Sequence, residues 1–382
     1  MISRIKVKNF KSLVDFEITG LSQFFCFIGL NGAGKTTLLQ FLDFLRALLS
    51  SRVQEWFENM LTPASITSFG STKRTIEFEI DITSQDGLKT WVWEVRFNIS
   101  EMRCVHELVS VLEKGEKKPV VFFDGKKLKV DGNDFPLSPR FSQTGSVCTL
   151  FNPLPEYLSE LADARIFGVL DPSAIAMTNQ VRRGQRAREI KANGNGQVAF
   201  VSQLSPDKQE ELFEKLKEFY PSLKSYKIKK LHYGIRKLLF NELGNSYFEA
   251  SSLSYGTLRL LVIISQLYSD GKCLVFDEIE NGINQELMGK LLELLQNFKE
   301  KQVMVTTHSA LVLNYLSDEA AKDSVIFLFK DANGGTKAVK FFEIDGMAKK
   351  LDVLGPGEVM GDANLEELSK SLAKSQAFGG LN

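Results

Sequence analysis

Apolar and polar residues alternate over RIKVKNF (4–10) and again over LVDFEI (13–18). That period-two pattern predicts two half-buried strands that pair with each other. FFCFIG (24–29) breaks the alternation: it is continuously apolar, as a strand buried on both faces should be. It leads through a glycine-rich loop into TLLQFLDFLRALLS, a helical stretch that is apolar on most of its faces. Five further strand-like runs follow: RTIEFEIDI, TWVWEVRFNI, CVHELVSVL, KPVVFF and KLKV. Turn signals at Gln85-Asp86-Gly87, Lys114-Gly115 and Asp124-Gly125 separate them and predict an antiparallel meander.

From about residue 138 to 249 the pattern becomes helical and irregular. Its clearest element is SPDKQEELFEKLKEFY (205–220), with Ser205 as cap, Pro206 at the first helical position and a stripe of Leu212, Phe213, Leu216 and Phe219. Beyond it lie a capped apolar helix beginning at SYGTLRLL, the strand KCLVFDE, the helix NQELMGKLLELLQNF and the strand QVMVTTH. A helix at SALVLNYL and a hairpin across SVIFLFKDANGGTKAVKFFEI complete the pattern, and the last twenty or so residues are expected to fray. These shifts divide the chain into an N-terminal lobe (1–137), a mainly helical insertion (138–249) and a C-terminal lobe (250–382), with the outer two forming one domain.

Composition narrows the class. With 382 residues, 43% hydrophobic and 25% charged, the chain has the material for a large core. Its net charge is zero, so any polyanion binding must rest on a local patch. Cys26, Cys104, Cys148 and Cys273 stand singly, without metal-site spacing, and suit reduced thiols in the cytoplasm. No secretory leader or spanning-length apolar run is evident, which again predicts a cytoplasmic protein.

Chemistry enters at GLNGAGKTT (29–37). Strand, G-x-x-x-x-G-K-[ST] loop and helix follow in the order a phosphate-binding loop requires. Gly29, Asn31, Gly32, Ala33, Gly34, Lys35, Thr36 and Thr37 are its candidate nucleotide-binding residues. Backbone N–H groups would cradle the phosphates, Lys35 would contact the β- and γ-oxygens, and the Thr36 hydroxyl would ligate Mg²⁺. Asp277, at the end of CLVFDE, is the second metal candidate, and Glu278 beside it is the candidate base for the attacking water. Both carboxylates also suit the cap of the following helix. His308 ends QVMVTTH at the same expected sheet edge and is a candidate γ-phosphate contact. His106 and His232 read as structural.

The order NFKSL, GLNGAGKTT, LSYGT, LVFDEIENGI and TTHS resembles the ABC-type ATPases of the Rad50/SMC/RecF branch. Within that branch it is most similar to compact bacterial AAA-labelled, OLD-like ATPases that lack a Toprim domain and are encoded beside phage-defence effectors. The resemblance implies an α/β ABC-type P-loop head with an antiparallel β subdomain and a mostly helical insertion. It further implies ATP and Mg²⁺ and a homodimer or higher homo-oligomer enclosing two nucleotides. Ser254 and Gly256 would then bind the γ-phosphate held by the partner subunit; read alone, Ser254 also suits an N-cap. Thr257 stands where transporters carry glutamine, and Ile279 and Asn284 stand where close relatives often carry proline and histidine, although Asn281 and Gly282 remain. Gln54 and Gln85 are candidates for the Q-loop glutamine by order only, and Lys11 and Ser12 are candidates to approach the nucleotide.

The insertion is too short for a Rad50-type coiled coil and carries no C-x-x-C hook. Residues 181–240 hold 14 Lys or Arg against 6 Asp or Glu, densest at VRRGQRAREIK and KSYKIKK. Arg182, Arg183, Arg186 and Arg188 are therefore candidate contacts to DNA or an acidic partner, against the plainer reading of a solvated face. The functional expectation is an ATP-driven sensor or scaffold controlling a separately encoded effector, such as a nuclease in phage defence. Two alternatives stand beside it: a RecF-like, ATP-gated DNA clamp, and an assembly protein that ATP stabilises. The segment after His308 is too short for the Toprim nuclease of the OLD relatives.

Overall fold

The computed structural model describes residues 1–59, 66–137, 143–151, 153–168, 170–177, 179–180, 190–242, 246–298 and 300–379. The alternating runs form one antiparallel sheet. It comprises β1 (Ile2–Phe10), β2 (Leu13–Thr19), β4 (Thr75–Thr83), β5 (Lys89–Asn98), β6 (Arg103–Glu113), β7 (Glu116–Phe123), β8 (Leu128–Val130) and β9 (Asn133–Phe135). Its order, β2-β1-β4-β5-β6-β7-β8-β9, is the expected initial pair plus a meander. A second sheet holds β3 (Phe24–Ile28), β10 (Arg165–Phe167), β15 (Cys273–Phe276), β16 (Gln302–Thr306), β17 (Val325–Lys330) and β18 (Thr336–Lys340). Its order is β10-β15-β16-β3-β17-β18, parallel except for β18.

The central strands are apolar throughout because both of their faces are buried. Phe24, Cys26 and Ile28 of β3 point into one core and Phe25 and Phe27 into the other. The first core packs the sheet against α6 (Pro206–Phe219), α7 (Tyr255–Ser265) and α8 (Gln285–Gln296). The second holds α1 (Lys35–Leu49) and α2 (Val53–Glu58) between the central sheet and the meander. Phe41 meets Phe78 of the meander edge-on with centroids 5.6 Å apart, and Phe44 meets Phe97 at 5.2 Å. A helix lying between two sheets keeps only a narrow polar stripe, here Thr36, Gln40, Asp43 and Arg46, which explains the apolar character of the rest of α1.

The middle of the chain departs from expectation. Residues 138–249 contain α3 (Glu156–Ala162), α4 (Pro172–Ala176), α5 (Gln197–Gln203) and α6, and among the described residues they also carry strands that the pattern did not announce. β10 joins the edge of the central sheet, and β11 (Asn179–Gln180), β12 (Ser225–Lys230), β13 (Ile235–Asn241) and β14 (Phe248–Glu249) form a third sheet. In KSYKIKK the alternation runs only from Tyr226 to Lys229 before a second lysine breaks it, too short a period-two pattern to signal a strand. The predicted cap of α6 is present, with the Ser205 side chain accepting from the Lys208 amide. The C-terminal lobe continues through α9 (Ala310–Leu313), α10 (Asp318–Ser324), α11 (Met347–Lys350) and α12 (Pro356–Asp362). The expected fraying of the C-terminus is corrected by α13 (Leu365–Gly379), whose Leu368 and Leu372 pack on the first core. Among the described residues, no helix is long and apolar enough to cross a membrane.

One buried acid ties the meander to the chain that leaves it. Glu107 is fully buried and accepts hydrogen bonds from Trp93 Nε1 at 2.9 Å, the Val147 amide at 2.8 Å and the Ser146 hydroxyl. Burial raises its pKa above the ordinary 4.5, against these donors, which favour the carboxylate. A raised carboxyl pKa means that the folded state holds its proton more tightly than the unfolded chain. Its contribution is complete below 4.5 and is lost as pH rises through the folded value. Denaturation of wild type and Glu107→Gln across this range is expected to show a slope of stability with pH in the wild type that the variant lacks. Equal slopes would refute the assignment.

Candidate functional site

Parallel pairing brings the separated motifs to one edge. β16 lies between β15 and β3, with Phe276 opposite Val305 and Thr306 opposite Phe27. The residues that follow, Asp277 after β15, His308 after β16 and Gly29 after β3, therefore emerge at the carboxyl ends of adjacent strands, where open α/β sheets bind ligands.

The glycine loop is built for close backbone approach. Gly34 has φ of 115°, and a Cβ there would lie 2.2 Å from Thr336 Oγ1, so no other residue fits without displacement. Thr336, buried in β18, donates from Oγ1 to the Ala33 carbonyl at 2.9 Å and contacts the Ser12 hydroxyl at 2.8 Å. Its amide also donates to the Ser12 carbonyl at 2.7 Å. Lys35 is buried, and its ammonium donates to the Gly29 and Leu30 carbonyls at 2.7 and 3.1 Å. Burial lowers its pKa, while the nearby charges of Asp277, Glu278 and Glu280 oppose that shift. Asn31, Gly32 and Thr36 are exposed on the loop, Thr37 is half-buried and Ala33 is buried. Exposed loop amides, a lysine held among carboxylates, and hydroxyl and carboxylate oxygens make a donor set that fits a polyphosphate with Mg²⁺.

The acidic strand end is held by two residues that sequence reasoning missed. The Thr306 hydroxyl donates to Asp277 Oδ1 and accepts from the Glu278 amide at 2.8 Å. Glu278 has φ of 46°, a left-handed conformation that costs a non-glycine residue about 1–2 kcal/mol. Its carbonyl accepts from Arg259 Nη2 at 2.7 Å, and the same nitrogen reaches the Asp277 carbonyl at 2.8 Å. Hydrogen bonds thus pin the strained backbone through both its amide and its carbonyl. Arg259 is only 2% exposed, and no carboxylate pairs with it among the described residues. Its compensation comes from carbonyl dipoles and from Tyr255 Oη at 3.3 Å.

His308 Nε2 stands 3.8 Å from Glu278 Oε1, and the His308 amide donates to Glu280 Oε1 at 2.8 Å. The other Glu280 oxygen is buried and without a partner. Lys35, Asp277, Glu278 and His308 therefore come together within one chain.

Ser254 and Gly256 stand at the N-terminus of α7. The Ser254 side chain caps α7 by accepting from the Thr257 amide at 3.1 Å, and it remains exposed. Gly256 leaves no room for a side chain, because a Cβ there would lie 2.3 Å from the Gly282 carbonyl. The serine turn thus rests on the Asn281-Gly282 stretch that follows the acidic strand. Arg259, one helical turn beyond Ser254, links the same turn to Glu278. The arginine sits in an otherwise apolar helix, which was the signal available in TLRLLVII.

Of the looser candidates, Gln54 is exposed on α2, where it bonds Glu58 at 3.1 Å, and Gln85 lies in the turn after β4. Lys11 donates to Gln40 of α1 at 2.8 Å, and Ser12 supports Thr336. Arg182, Arg183, Arg186 and Arg188 lie outside the described residues.

If Arg259 positions the carboxylate pair, Arg259→Lys should lower the ATP turnover number by about ten- to a hundredfold, because an ammonium lacks the guanidinium fork. ATP affinity at the glycine loop is expected to stay close to wild type. Steady-state hydrolysis and nucleotide titration separate the two quantities, and an unchanged turnover number would remove Arg259 from this role.

Solved structures share the architecture. An SMC head bound to the C-terminal winged-helix domain of ScpA aligns with TM-score 0.55 and 15% identity, covering 88% of this chain and 96% of that one. The SMC head domain from Thermotoga maritima aligns at 0.44 and 15%, covering 88% and 98%. An Smc head with extended coiled coil, bound to the C-terminal domain of ScpA from Pyrococcus furiosus, aligns at 0.49 and 13%, covering 88% and 95%. Comparison with curated proteins finds no match. Residues 24–314 match the family model described as "AAA domain, putative AbiEii toxin, Type IV TA system". That span runs from β3 through the glycine loop, the serine turn and the acidic strand to His308. The chain is an ATPase with an SMC-head-like fold, and it belongs to this AAA family.

Proposed function

We propose that two copies of this chain close head to tail around ATP, each completing the other's site with Ser254 and Gly256. The observation that carries this reading is that Ser254 is exposed at a helix N-terminus, where its side chain bonds only Thr257 among the described residues, while its helix reaches Glu278 through Arg259. In this reading, segments 1–137 and 250–382 form one ATPase domain, with β10 contributed from the stretch between them.

Each residue then has a defined task. The loop amides and Lys35 bind the β- and γ-phosphates. Thr36 and Asp277 would hold Mg²⁺, which supplies charge neutralisation on the phosphate oxygens when bound. Glu278 accepts the proton of the attacking water, and Thr306 and Arg259 hold its backbone at the angle that aims the carboxylate. His308, within reach of Glu278, contacts the γ-phosphate. The partner's serine hydroxyl and helix N-terminus stabilise charge that grows on the transferring group.

The cycle fits a regulator better than a solitary hydrolase. ATP binding would favour the closed pair and hydrolysis would release it. The family description, "putative AbiEii toxin, Type IV TA system", supports a toxin–antitoxin or defence setting, and in this reading the ATP cycle controls a separately encoded effector, such as a nuclease in phage defence. The SMC head aligned above binds a separate winged-helix domain, a precedent for a protein partner on this fold.

Glu278→Gln is expected to lower hydrolysis by about 10²–10⁴-fold and to accumulate an ATP-bound dimer on size exclusion. Adding Ser254→Arg should return that variant to monomer while each chain still binds ATP. Unchanged hydrolysis in Glu278→Gln, or a dimer that survives Ser254→Arg, would defeat the composite site.

A further inference from the structure

The third sheet carries charge in an arrangement that its own fold does not explain. β12 and β13 pair antiparallel, with Lys229 opposite Lys237 and Lys230 opposite Arg236. Like charges directly across a ladder destabilise the pairing, and here two such pairs stand at consecutive positions. Successive residues point to opposite faces, so Lys227, Lys229 and Lys237 share one face and Lys230 and Arg236 the other. Lys237 pairs with Glu249 at 2.6 Å. Among the described residues, Lys227, Lys229, Lys230 and Arg236 have no carboxylate partner.

Lys227 lies over the Tyr247 ring, 5.3 Å from its centroid, but among the described residues no such contact accounts for Lys229, Lys230 and Arg236. Further down the ribbon, Tyr226, Ile228, Leu238 and Phe240 belong to the first core and anchor it, with Tyr226 stacked on Phe213 of α6. Lys229, Lys230, Arg236 and Lys237 lie beyond that anchor, towards the turn at 231–234, where Tyr233 has φ of 57° and is 87% exposed. On the other edge of β13, β11 pairs Asn179 with Arg236 and Gln180 with Ile235. A rigid ribbon therefore holds repeated positive charges, roughly 7 Å apart along a strand and about 5 Å across it.

We propose that the β12–β13 ribbon is a binding surface for the phosphate backbone of nucleic acid. Cations on both faces of a ribbon end suit a groove of nucleic acid, which has a phosphate strand on either side, and the repulsion between Lys230 and Arg236 is relieved when phosphates take the place of counterions. The exposed tyrosine at the turn adds a ring on which an unpaired base can stack. The inference is independent of the composite-site reading, because binding is measured without hydrolysis and none of these residues belongs to the ATP site.

The test is fluorescence anisotropy of the full chain with labelled duplex DNA and with single-stranded DNA of the same length, with and without ATP. Replacing Lys229, Lys230 and Arg236 together by Gln is expected to weaken binding at least about tenfold at ~100 mM salt and to flatten the slope of log affinity against log salt by about two to three. Lys229→Arg with Lys230→Arg should bind like wild type. Because the glutamines remove a repulsion, the melting temperature should stay at or above wild type, so a loss of binding reads charge rather than unfolding. Failure of the wild type to bind either DNA, an unchanged salt slope in the triple variant, or equal competition by poly-glutamate would each overturn the proposal.

Discussion

Three parallel strands, β15, β16 and β3, hydrogen-bond in a register that ends all of them at one sheet edge, and the chemistry of this protein depends on that register. Parallel neighbours share a direction, so whatever follows one strand lies beside whatever follows the next. Lys35, Asp277 and His308 are distant in sequence, yet their approach is decided by backbone pairing before any side chain contributes. Both faces of the sheet must be covered for this to hold, and two separate cores cover them, with α1 between the central sheet and the meander. The glycine loop is then clasped by Thr336 from β18 and by Ser12 from the β1–β2 turn. The meander is thus part of the site's scaffold as well as a second lobe.

A buried arginine joins the serine turn to the acidic strand end. Arg259 belongs to the helix that presents Ser254, and it holds the carbonyls of Asp277 and Glu278. Guanidinium groups are costly to bury, and this one is compensated by carbonyl dipoles rather than by a carboxylate. A shift of that helix against its strand would strand the charge, so the serine turn and the acidic pair move as a unit. Glu278 adds a second constraint, since its left-handed backbone persists only while both Thr306 and Arg259 hold it.

Legibility varied with the physical origin of each element. The meander, the buried central strands and the capped helix α6 were readable because period-two and period-3.6 patterns report burial directly. The middle segment was misread because β12 is a lysine-rich strand half in water, and because β10 is too short to show a period. The C-terminal helix α13 was taken for a frayed end because its apolar stripe is thin. Thr306, Thr336, Glu280 and Arg259 escaped notice for another reason. Each acts through one or two hydrogen bonds to backbone or neighbouring side chains, and a residue type leaves no trace of its partner.

The sequence by itself determined the class of chemistry: a glycine loop between strand and helix, carboxylates at a strand end, and a serine that caps an apolar helix are local facts of spacing. Tertiary structure alone decided which of these meet. It brought Lys35, Glu278 and His308 to one edge, left Ser254 exposed at the start of α7, and set like charges opposite each other on the β12–β13 ribbon. Register and packing join residues hundreds of positions apart, and no local pattern encodes the partner that a residue will find across a sheet.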